Sequence, residues 1–336
     1  MKFTKIVVVT VILMLLAASY SGAELRKPGI NGAAFLKIGT GARMVALGSA
    51  ATTLYGDPNM IFWNPAGIEI NDGKTQVGFN YNDWIAGLNH MSGAVSHSFS
   101  KFGTFGVGFI YMGLSDVTAD RDIAPPGAES SQMERAGALQ FETYNYSDMA
   151  FILAYSKQFT DRFRMGVSVK YIRENIDDVV ADAYAFDFGA VYETGLRDLT
   201  FGARLNNVGG DLKFYAFNSP LPLNFSIGAS ASLAKEEKSD LKAFVDFTKP
   251  QDSPQLFFSG LEWLVRDMFA LRGGYKFGYS GSLDDKTRLS QTDEGMSFGA
   301  GLNLPIISSY KLWLDYAFTS FSVFNNTHRF SLKFEF

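Results

Sequence analysis

The chain has 336 residues, no cysteine and a formal net charge of −4. The absence of cysteine excludes disulfide frameworks, thiolate zinc clusters and thiol nucleophiles, and a mildly acidic chain without a long basic run is a poor match for nucleic acid. The 31 phenylalanines and 33 glycines, with 47% hydrophobic residues, disfavour disorder and fit one large all-β domain.

The first 23 residues have the three-part layout of a secretory signal peptide. Lys2 and Lys5 precede a nearly uninterrupted apolar stretch, Ile6–Ala18, and the small residues Ser21-Gly22-Ala23 follow it. That stretch is shorter than the roughly 20 apolar residues that a transmembrane helix needs. We therefore predict export and cleavage after Ala23, with an uncleaved anchor as the alternative.

Residues 24–72 lack the alternation of a strand, and we call this segment the hatch. Small and apolar residues at helical spacing predict a short helix around Ala42–Leu54. Two turn signals follow, Gly56-Asp57-Pro58-Asn59 and Trp63-Asn64-Pro65-Ala66-Gly67, and the proline of the second holds Asn64 in an extended conformation. The hatch is therefore predicted to be short, partly helical and rich in turns.

Residues 73–336 alternate apolar with polar or small residues, which is the period-two signature of β-strands. From Phe330 to Phe336, phenylalanine and leucine share one face, whereas serine, lysine and glutamate share the other. A soluble sandwich also alternates. However, aromatic residues cap the apolar faces, and short turns alternate with long loops, as in outer-membrane barrels.

The segments predict roughly fourteen strands, an even number that returns both ends of the chain to the periplasmic side. The predicted spans are 74–85, 88–100, 104–115, 147–159, 163–176, 183–193, 199–208, 222–234, 241–248, 256–265, 268–280, 294–304, 309–321 and 326–336. Short turns are expected near 101–103, 160–162, 266–267 and 305–309, and longer loops near 116–146, 209–221 and 281–294.

The predicted fold class is therefore all-β, a transmembrane antiparallel barrel of about fourteen strands with the hatch in its lumen. In hydrocarbon every backbone N–H and C=O must be paired, so only helices or closed barrels can cross, and the mature chain has no helix of sufficient length. A barrel of this size would have a lumen wide enough to leak, which gives a folded-in plug a clear purpose.

The inward positions of the predicted strands carry charges of both signs. They are Lys170, Arg173, Asp187, Arg204, Asp246 and Asp315. Paired charges would close the lumen, so a general porin is disfavoured. In the hatch, the guanidinium of Arg43 can hold a carboxylate through two hydrogen bonds, and Asp187 or Asp315 is the predicted partner of such a latch. The alternative is an exposed arginine that contributes little.

The segment Phe35–Gly48, followed by Asp57 and by Trp63-Asn64-Pro65-Ala66-Gly67, resembles the N-terminal signature of the PorV/PorQ family, which belongs to the wider FadL-like group of outer-membrane barrels. Similar segments continue along nearly the whole mature chain, at 205–209, 221–223, 227–228, 271–275, 315–318 and 326–332, up to the terminal Phe336.

The resemblance implies a fourteen-stranded barrel whose hatch is built from the Asn-Pro-Ala-Gly region. It makes Arg43, Asp57, Trp63, Asn64, Pro65 and Gly67 candidate gating residues. The same resemblance makes Phe334 and Phe336 a C-terminal signal for the barrel-assembly machinery.

The resemblance leaves two functional classes open. PorV-type and PorQ-type members serve type IX secretion, so the first expectation is a secretion accessory that binds exported cargo or secretion components. The alternative is a FadL-like transporter of hydrophobic small molecules such as long-chain fatty acids, and a purely structural barrel is a third possibility. The aromatic-containing loop 116–146 could serve either class, or simply shield the lumen mouth. Outer-membrane lipid is the expected surrounding, in a Gram-negative-type bacterium.

An enzyme is not expected. The three histidines are His90, His97 and His328, and none has an evident serine or aspartate partner for acid–base or nucleophilic chemistry. His90 and His97 are seven residues apart, so they lie on opposite faces of one strand. We predict no cofactor, no metal and no nucleic-acid partner.

Overall fold

The computed structural model describes residues 29–70, 73–118, 143–177, 179–196, 198–215, 217–253, 255–277, 294–307, 310–321 and 325–336. The predicted signal peptide lies outside the described residues. So do most of the predicted loops 116–146 and 281–294.

Sixteen strands are present among the described residues. They are β1 Thr75–Asp83, β2 Asn89–Ser98, β3 Thr104–Thr118, β4 Thr143–Thr160, β5 Phe163–Ile176, β6 Val179–Glu193, β7 Thr200–Gly209, β8 Leu212–Phe214, β9 Phe217–Ser219, β10 Asn224–Glu236, β11 Ser239–Pro250, β12 Leu256–Val265, β13 Phe269–Phe277, β14 Glu294–Ile307, β15 Tyr310–Phe321 and β16 Thr327–Glu335.

Fourteen of these strands form one closed antiparallel barrel, in which β1 pairs with β16. Each of the fourteen predicted spans overlaps one barrel strand, so the predicted fold class is confirmed. β8 and β9 form a separate hairpin inside the predicted loop 209–221. No helix among the described residues is long and apolar enough to span a membrane.

The strands alternate between an apolar outer face and an inner face that meets the hatch. In β6, Tyr184, Phe186 and Phe188 are 63%, 50% and 48% exposed, whereas Asp187 between them is fully buried. Rows of exposed aromatic and aliphatic side chains around a barrel are typical of a surface that faces lipid.

The prediction that Arg173 faces the lumen is wrong. Lys170 is an inward residue of β5, and a residue three positions later lies on the opposite face because the side-chain period of a strand is two. Arg173 accordingly lies on the outer face and forms an ion pair with Asp182 of β6, with a distance of 2.7 Å between Nε and Oδ1.

The hatch contains helix α1, Ala42–Ala46, and three short 3-10 helices, Ala34–Lys37, Pro58–Phe62 and Pro65–Ile68. The predicted helix begins at Ala42 but is much shorter than expected. It cannot continue because Gly48 and Ser49 have φ values of 63° and 68°, in the left-handed region. Two further 3-10 helices, Ile85–Gly87 and Ser100–Phe102, lie in connections between barrel strands.

The hatch runs through the lumen from the long-loop end of the barrel to the short-turn end. At the long-loop end, the backbone N–H of Gly32 donates to the carbonyl of Pro220, which follows the β8–β9 hairpin. At the short-turn end, the backbone N–H of Thr75 in β1 donates to the carbonyl of Phe336. Tight turns at Asp161–Arg162 and at Arg266–Asp267 lie at this same end, as predicted.

Candidate functional site

The hatch backbone lies directly against the barrel wall, and glycines make this approach possible. Inward glycines occur in nine of the described barrel strands at the level of the hatch: Gly78, Gly106, Gly108, Gly166, Gly189, Gly202, Gly228, Gly260, Gly274 and Gly299. A Cβ on Gly274 would lie 2.0 Å from the backbone nitrogen of Gly48, and a Cβ on Gly189 would lie 1.8 Å from Oδ1 of Asn64. Any larger side chain at these positions would displace the hatch from the wall.

Asn64 fixes the shape of the hatch and also binds the wall. Its Oδ1 accepts from the backbone N–H of Ala66, which caps the 3-10 helix that Pro65 begins. Its Nδ2 donates to the carbonyl of Thr52 at 2.7 Å and to the carbonyl of Ala190 in β6 at 3.3 Å. The turn predicted from the Asn-Pro-Ala-Gly sequence is therefore a point of attachment between hatch and barrel.

Trp63 and Gly67 complete this part of the hatch. The indole Nε1–H of Trp63 donates to the carbonyl of Thr40 at 2.9 Å, and its own carbonyl accepts from Nδ2 of Asn206 in β7 at 2.8 Å. Gly67 has no room for a side chain, since a Cβ there would lie 2.5 Å from the carbonyl oxygen of Leu54. Both residues hold the hatch together and take no part in the ion pairs of the lumen.

Arg43 forms the bidentate carboxylate pair that its side chain permits, but the predicted partners are wrong. Its Nε and Nη2 donate to Oε2 and Oε1 of Glu262 in β12, at 2.9 and 2.8 Å. Arg272 of β13 donates to the same Glu262 at 2.6 Å and also pairs with Asp315 of β15. Asp315 is therefore linked to Arg43 only through Arg272 and Glu262. Asp187 pairs instead with Lys170.

Asp57 attaches the hatch to β16. Its Oδ1 accepts from the backbone N–H of Asn59, and its Oδ2 lies 3.1 Å from Nζ of Lys333. Burial alone would raise the pKa of the Asp57 carboxyl, but Lys333 and Arg43 outweigh burial and hold this pKa below its usual 3.8. The carboxylate of Asp57 is thus kept ionised where hatch and wall meet.

Besides Asp315, three of the predicted lumen charges have close partners, although Oδ1 of Asp246 forms no hydrogen bond to the described residues. Lys170 and Asp187 form a buried ion pair at 2.8 Å. Asp246 accepts two hydrogen bonds from Thr52 of the hatch, at 2.9 Å from the backbone N–H and 2.6 Å from the hydroxyl. Arg204 differs from these residues, since it has no ion pair or hydrogen bond to any part of the chain that the structure describes.

A cavity of about 530 Å³ lies toward the long-loop end, beside the first hatch segment, residues 34–40, and above the rest of the hatch. Its floor is formed by Phe62 and Trp63, and aliphatic and aromatic residues of the wall, including Ile110, Met112 and Phe258, form much of its sides. Ligand cavities in proteins are commonly apolar spaces of about 300–1,000 Å³ with a few polar groups. This cavity has the size and lining of such a site.

A second cavity of about 690 Å³ lies below the hatch, at the short-turn end. It is lined mostly by polar and charged groups, among them Glu69, Lys74, Arg164 and Glu335. The hatch thus separates an apolar compartment above from a polar compartment below.

The histidines do not form an acid–base constellation within the described residues. His90 is buried on the inner face of β2, whereas His97 is partly exposed on the other face and lies 2.8 Å from the hydroxyl of Thr75. His328 contacts the hydroxyl of Tyr316.

Sequence reasoning missed Glu262, Arg272 and Lys333, which hold the hatch from the wall side. A signal was present for Glu262, because it alternates with the outward Leu261 and Trp263 in β12. The spatial neighbours of the hatch depend on how the fourteen strands are arranged around it, which no local pattern reveals.

No family model matches the chain, and no curated protein matches it. Among solved structures, the chain is similar to a mutant of the monoaromatic hydrocarbon channel TodX, with a TM-score of 0.59 at 12% identity over 88% of this chain and 98% of that one. It is also similar to the Pseudomonas putida toluene transporter TodX, with a TM-score of 0.57 at 10% identity over 93% and 98% of the two chains.

A Pseudomonas aeruginosa FadL homologue gives a TM-score of 0.55 at 12% identity, over 89% of this chain and 98% of that one. The fold is that of a FadL-like barrel. This bears out the wider resemblance predicted from the sequence, whereas the narrower resemblance to PorV/PorQ proteins stays a prediction.

Proposed function

We propose that this protein is an outer-membrane channel that admits hydrophobic small molecules through the cavity above the hatch. The apolar outer face of the strands supports a position in lipid, and the barrel resembles that of a toluene transporter. The observation that carries the proposal is the apolar cavity of about 530 Å³, closed below by a hatch in close contact with the wall.

Because the hatch closes the lumen, a ligand would be held in the cavity and would not diffuse freely through the barrel. A lumen filled at the level of the hatch leaves no open route for water-soluble solutes. In addition, an apolar cavity binds such solutes no better than bulk water does. Passage of a ligand then requires the hatch to shift, which is the gating role proposed for Arg43, Asp57, Trp63, Asn64, Pro65 and Gly67.

The similar structures support the small-molecule function better than the secretion function. Two of the three similar structures are of one protein, TodX, which is described as a hydrocarbon channel and a toluene transporter, and none of the three is described as a secretion component. Binding of exported cargo remains an expectation based on the sequence resemblance alone.

Filling the cavity tests the proposal. Leu256, at the start of β12, lines the cavity, whereas Leu261 of the same strand is 48% exposed on the outer face. In a bacterial host that lacks its own channel of this type, the protein should accelerate uptake of labelled toluene several-fold. Leu256→Trp should abolish most of that gain, and Leu261→Trp should preserve it. Uptake no faster than in the empty host would contradict the proposal.

A further inference from the structure

Two buried carboxylates face each other on the inner wall, near the long-loop end of the barrel. Asp148 of β4 and Glu174 of β5 are register partners, and their side chains are 0% and 8% exposed. Side chains that lie directly opposite on antiparallel strands have Cβ atoms about 4.5–5.5 Å apart. The two acids are therefore close neighbours in a place shielded from water.

No cation among the described residues balances this pair. Oδ1 of Asp148 is buried without a hydrogen-bond partner. The cations that flank the pair along β5, Lys170 and Arg173, are bound elsewhere, to Asp187 and Asp182. Like charges that lie directly opposite destabilise a sheet, and burying them without a counter-ion is costly. The pair therefore calls for a positive charge from outside the chain.

The hydrogen-bond donors around the pair suit ionised carboxylates. The hydroxyl of Tyr146 donates to Oδ2 of Asp148, and the backbone N–H of Ala33 donates to the carboxylate of Glu174. Hydrogen bonds of this kind favour the charged form of a carboxyl group. Both acids are thus prepared to act as anionic ligands, and Oδ1 of Asp148 is open to a bound ion.

The start of the hatch brings a further oxygen to this part of the wall. Asn31 lies two residues before Ala33, and both polar atoms of its side chain are buried without partners. Between these two residues, the backbone N–H of Gly32 donates to the carbonyl of Pro220 at 3.0 Å, which fixes the segment. Carboxylate and amide oxygens, completed by water, are the ligands that Ca²⁺ takes in proteins.

We propose that Asp148 and Glu174 bind a calcium ion, together with water and the side-chain oxygen of Asn31. The ion neutralises the two carboxylates and ties the start of the hatch to β4 and β5. The sequence predicts no metal site, since the two acids are distant in the chain and only the strand register brings them together. The three residues lie outside the lining of the apolar cavity, so this inference is independent of the channel function.

Terbium luminescence tests the site directly, because Tb³⁺ takes the oxygen ligands of Ca²⁺ and is sensitised by a nearby tyrosine. The full-length protein is reconstituted in phosphatidylcholine nanodiscs free of lipopolysaccharide and titrated with Tb³⁺ under tyrosine excitation. With only two carboxylates in the site, Ca²⁺ should displace Tb³⁺ with a Kd on the order of 10⁻⁴–10⁻³ M. Mg²⁺ should need about tenfold more, because it demands near-ideal octahedral geometry.

Four variants locate the ion. Asp148→Asn and Glu174→Gln keep the side-chain shape and remove one charge each, so each should weaken calcium binding about tenfold or more. Tyr146→Phe should still bind radioactive calcium but lose most of the terbium emission, which would place the ion beside this tyrosine. Asp182→Asn makes the same chemical change on the outer face and should behave as wild type. The heat-dependent shift in gel mobility that closed barrels show confirms that each variant is folded.

Hydrogen exchange measures what the ion does. Calcium should increase the protection of amides in residues 31–38 of the wild type and of Asp182→Asn, but not of Asp148→Asn. Absence of saturable Tb³⁺ and Ca²⁺ binding in the wild type, or unchanged binding in both Asp148→Asn and Glu174→Gln, overturns the calcium site and leaves the channel function standing. Calcium binding without any gain in toluene uptake over the empty host overturns the channel function and leaves the calcium site standing.

Discussion

Two levels of the lumen, the hatch and the cavity above it, are built in opposite ways. At the level of the hatch, the wall carries glycines and the charges are paired across the hatch–wall junction, as Arg43 is with Glu262 and Asp57 with Lys333. Above the hatch, the wall carries bulky apolar side chains, and the guanidinium of Arg204 forms no hydrogen bond or ion pair with the described residues. The lower level is suited to sealing the barrel, and the upper level is suited to binding a ligand.

The largest effect is expected from a methyl group added to the lower level. In Gly274→Ala the new Cβ would lie 2.0 Å from the backbone nitrogen of Gly48, and neither backbone can move without distorting the wall or the hatch. Overpacking of this kind typically costs about 1–3 kcal/mol, and backbone contacts lie at the upper end. We expect the hatch to be displaced, so that cells become markedly more sensitive to large antibiotics.

The neighbouring residue provides a matched control for this substitution. Gly273 faces outward, and a Cβ there would come no closer than 3.8 Å to the Phe298 ring. Gly273→Ala should therefore leave antibiotic sensitivity unchanged. Equal sensitivity of the two variants would show that the hatch does not seal the lumen at this level.

Arg43→Ala should give the next largest effect. The substitution removes both hydrogen bonds from Arg43 and leaves Glu262 with Arg272 alone, and truncating one member of a buried ion pair typically costs about 3–5 kcal/mol when no other partner remains. Because Arg272 remains, we expect a smaller loss and a moderate increase in permeability to large antibiotics.

A double variant sharpens this result. Arg43→Met with Glu262→Gln removes both charges of the pair, so it should restore part of the barrier that Arg43→Ala loses. Unchanged permeability in Arg43→Ala would show that Arg43 is not a latch.

The smallest effect concerns pH and Asp57. Because the pKa of the Asp57 carboxyl is lowered in the folded protein, its contribution to the seating of the hatch is fully present above pH 3.8 and is lost as the pH falls through the folded-state pKa. Protection of hatch amides from hydrogen exchange, corrected for intrinsic rates, should decrease in that acidic range.

The isosteric variant Asp57→Asn isolates this contribution from those of other carboxylates. It should show weaker protection than wild type at neutral pH and a smaller further loss on acidification. Identical pH profiles for the two proteins would contradict a role for the Asp57 carboxylate in holding the hatch.

The barrel could be predicted from the sequence because its signal is local. Alternation identifies each strand independently, so that even β12, with its single inward glutamate, follows the same period of two. The prediction that Arg173 faces the lumen fails because residues three apart in a strand lie on opposite faces, and Lys170 is the inward one.

The hatch was harder to predict, because its shape depends on the wall around it. Its helix stops at Ala46, where Gly48 and Ser49 adopt left-handed backbone conformations and Gly48 lies against Gly274 of the distant strand β13. The partner of Arg43 likewise comes from a strand more than two hundred residues away, and a carboxylate preference alone does not distinguish Glu262 from Asp315.

Native mass spectrometry of the protein, gently extracted from its own outer membrane, tests the central claim most directly. The account predicts an apolar or amphiphilic small molecule bound to the protein without a stoichiometric polypeptide, and loss of that molecule in Leu256→Trp. A co-purifying secreted polypeptide bound to protein with an empty cavity would contradict the account and restore the secretion function.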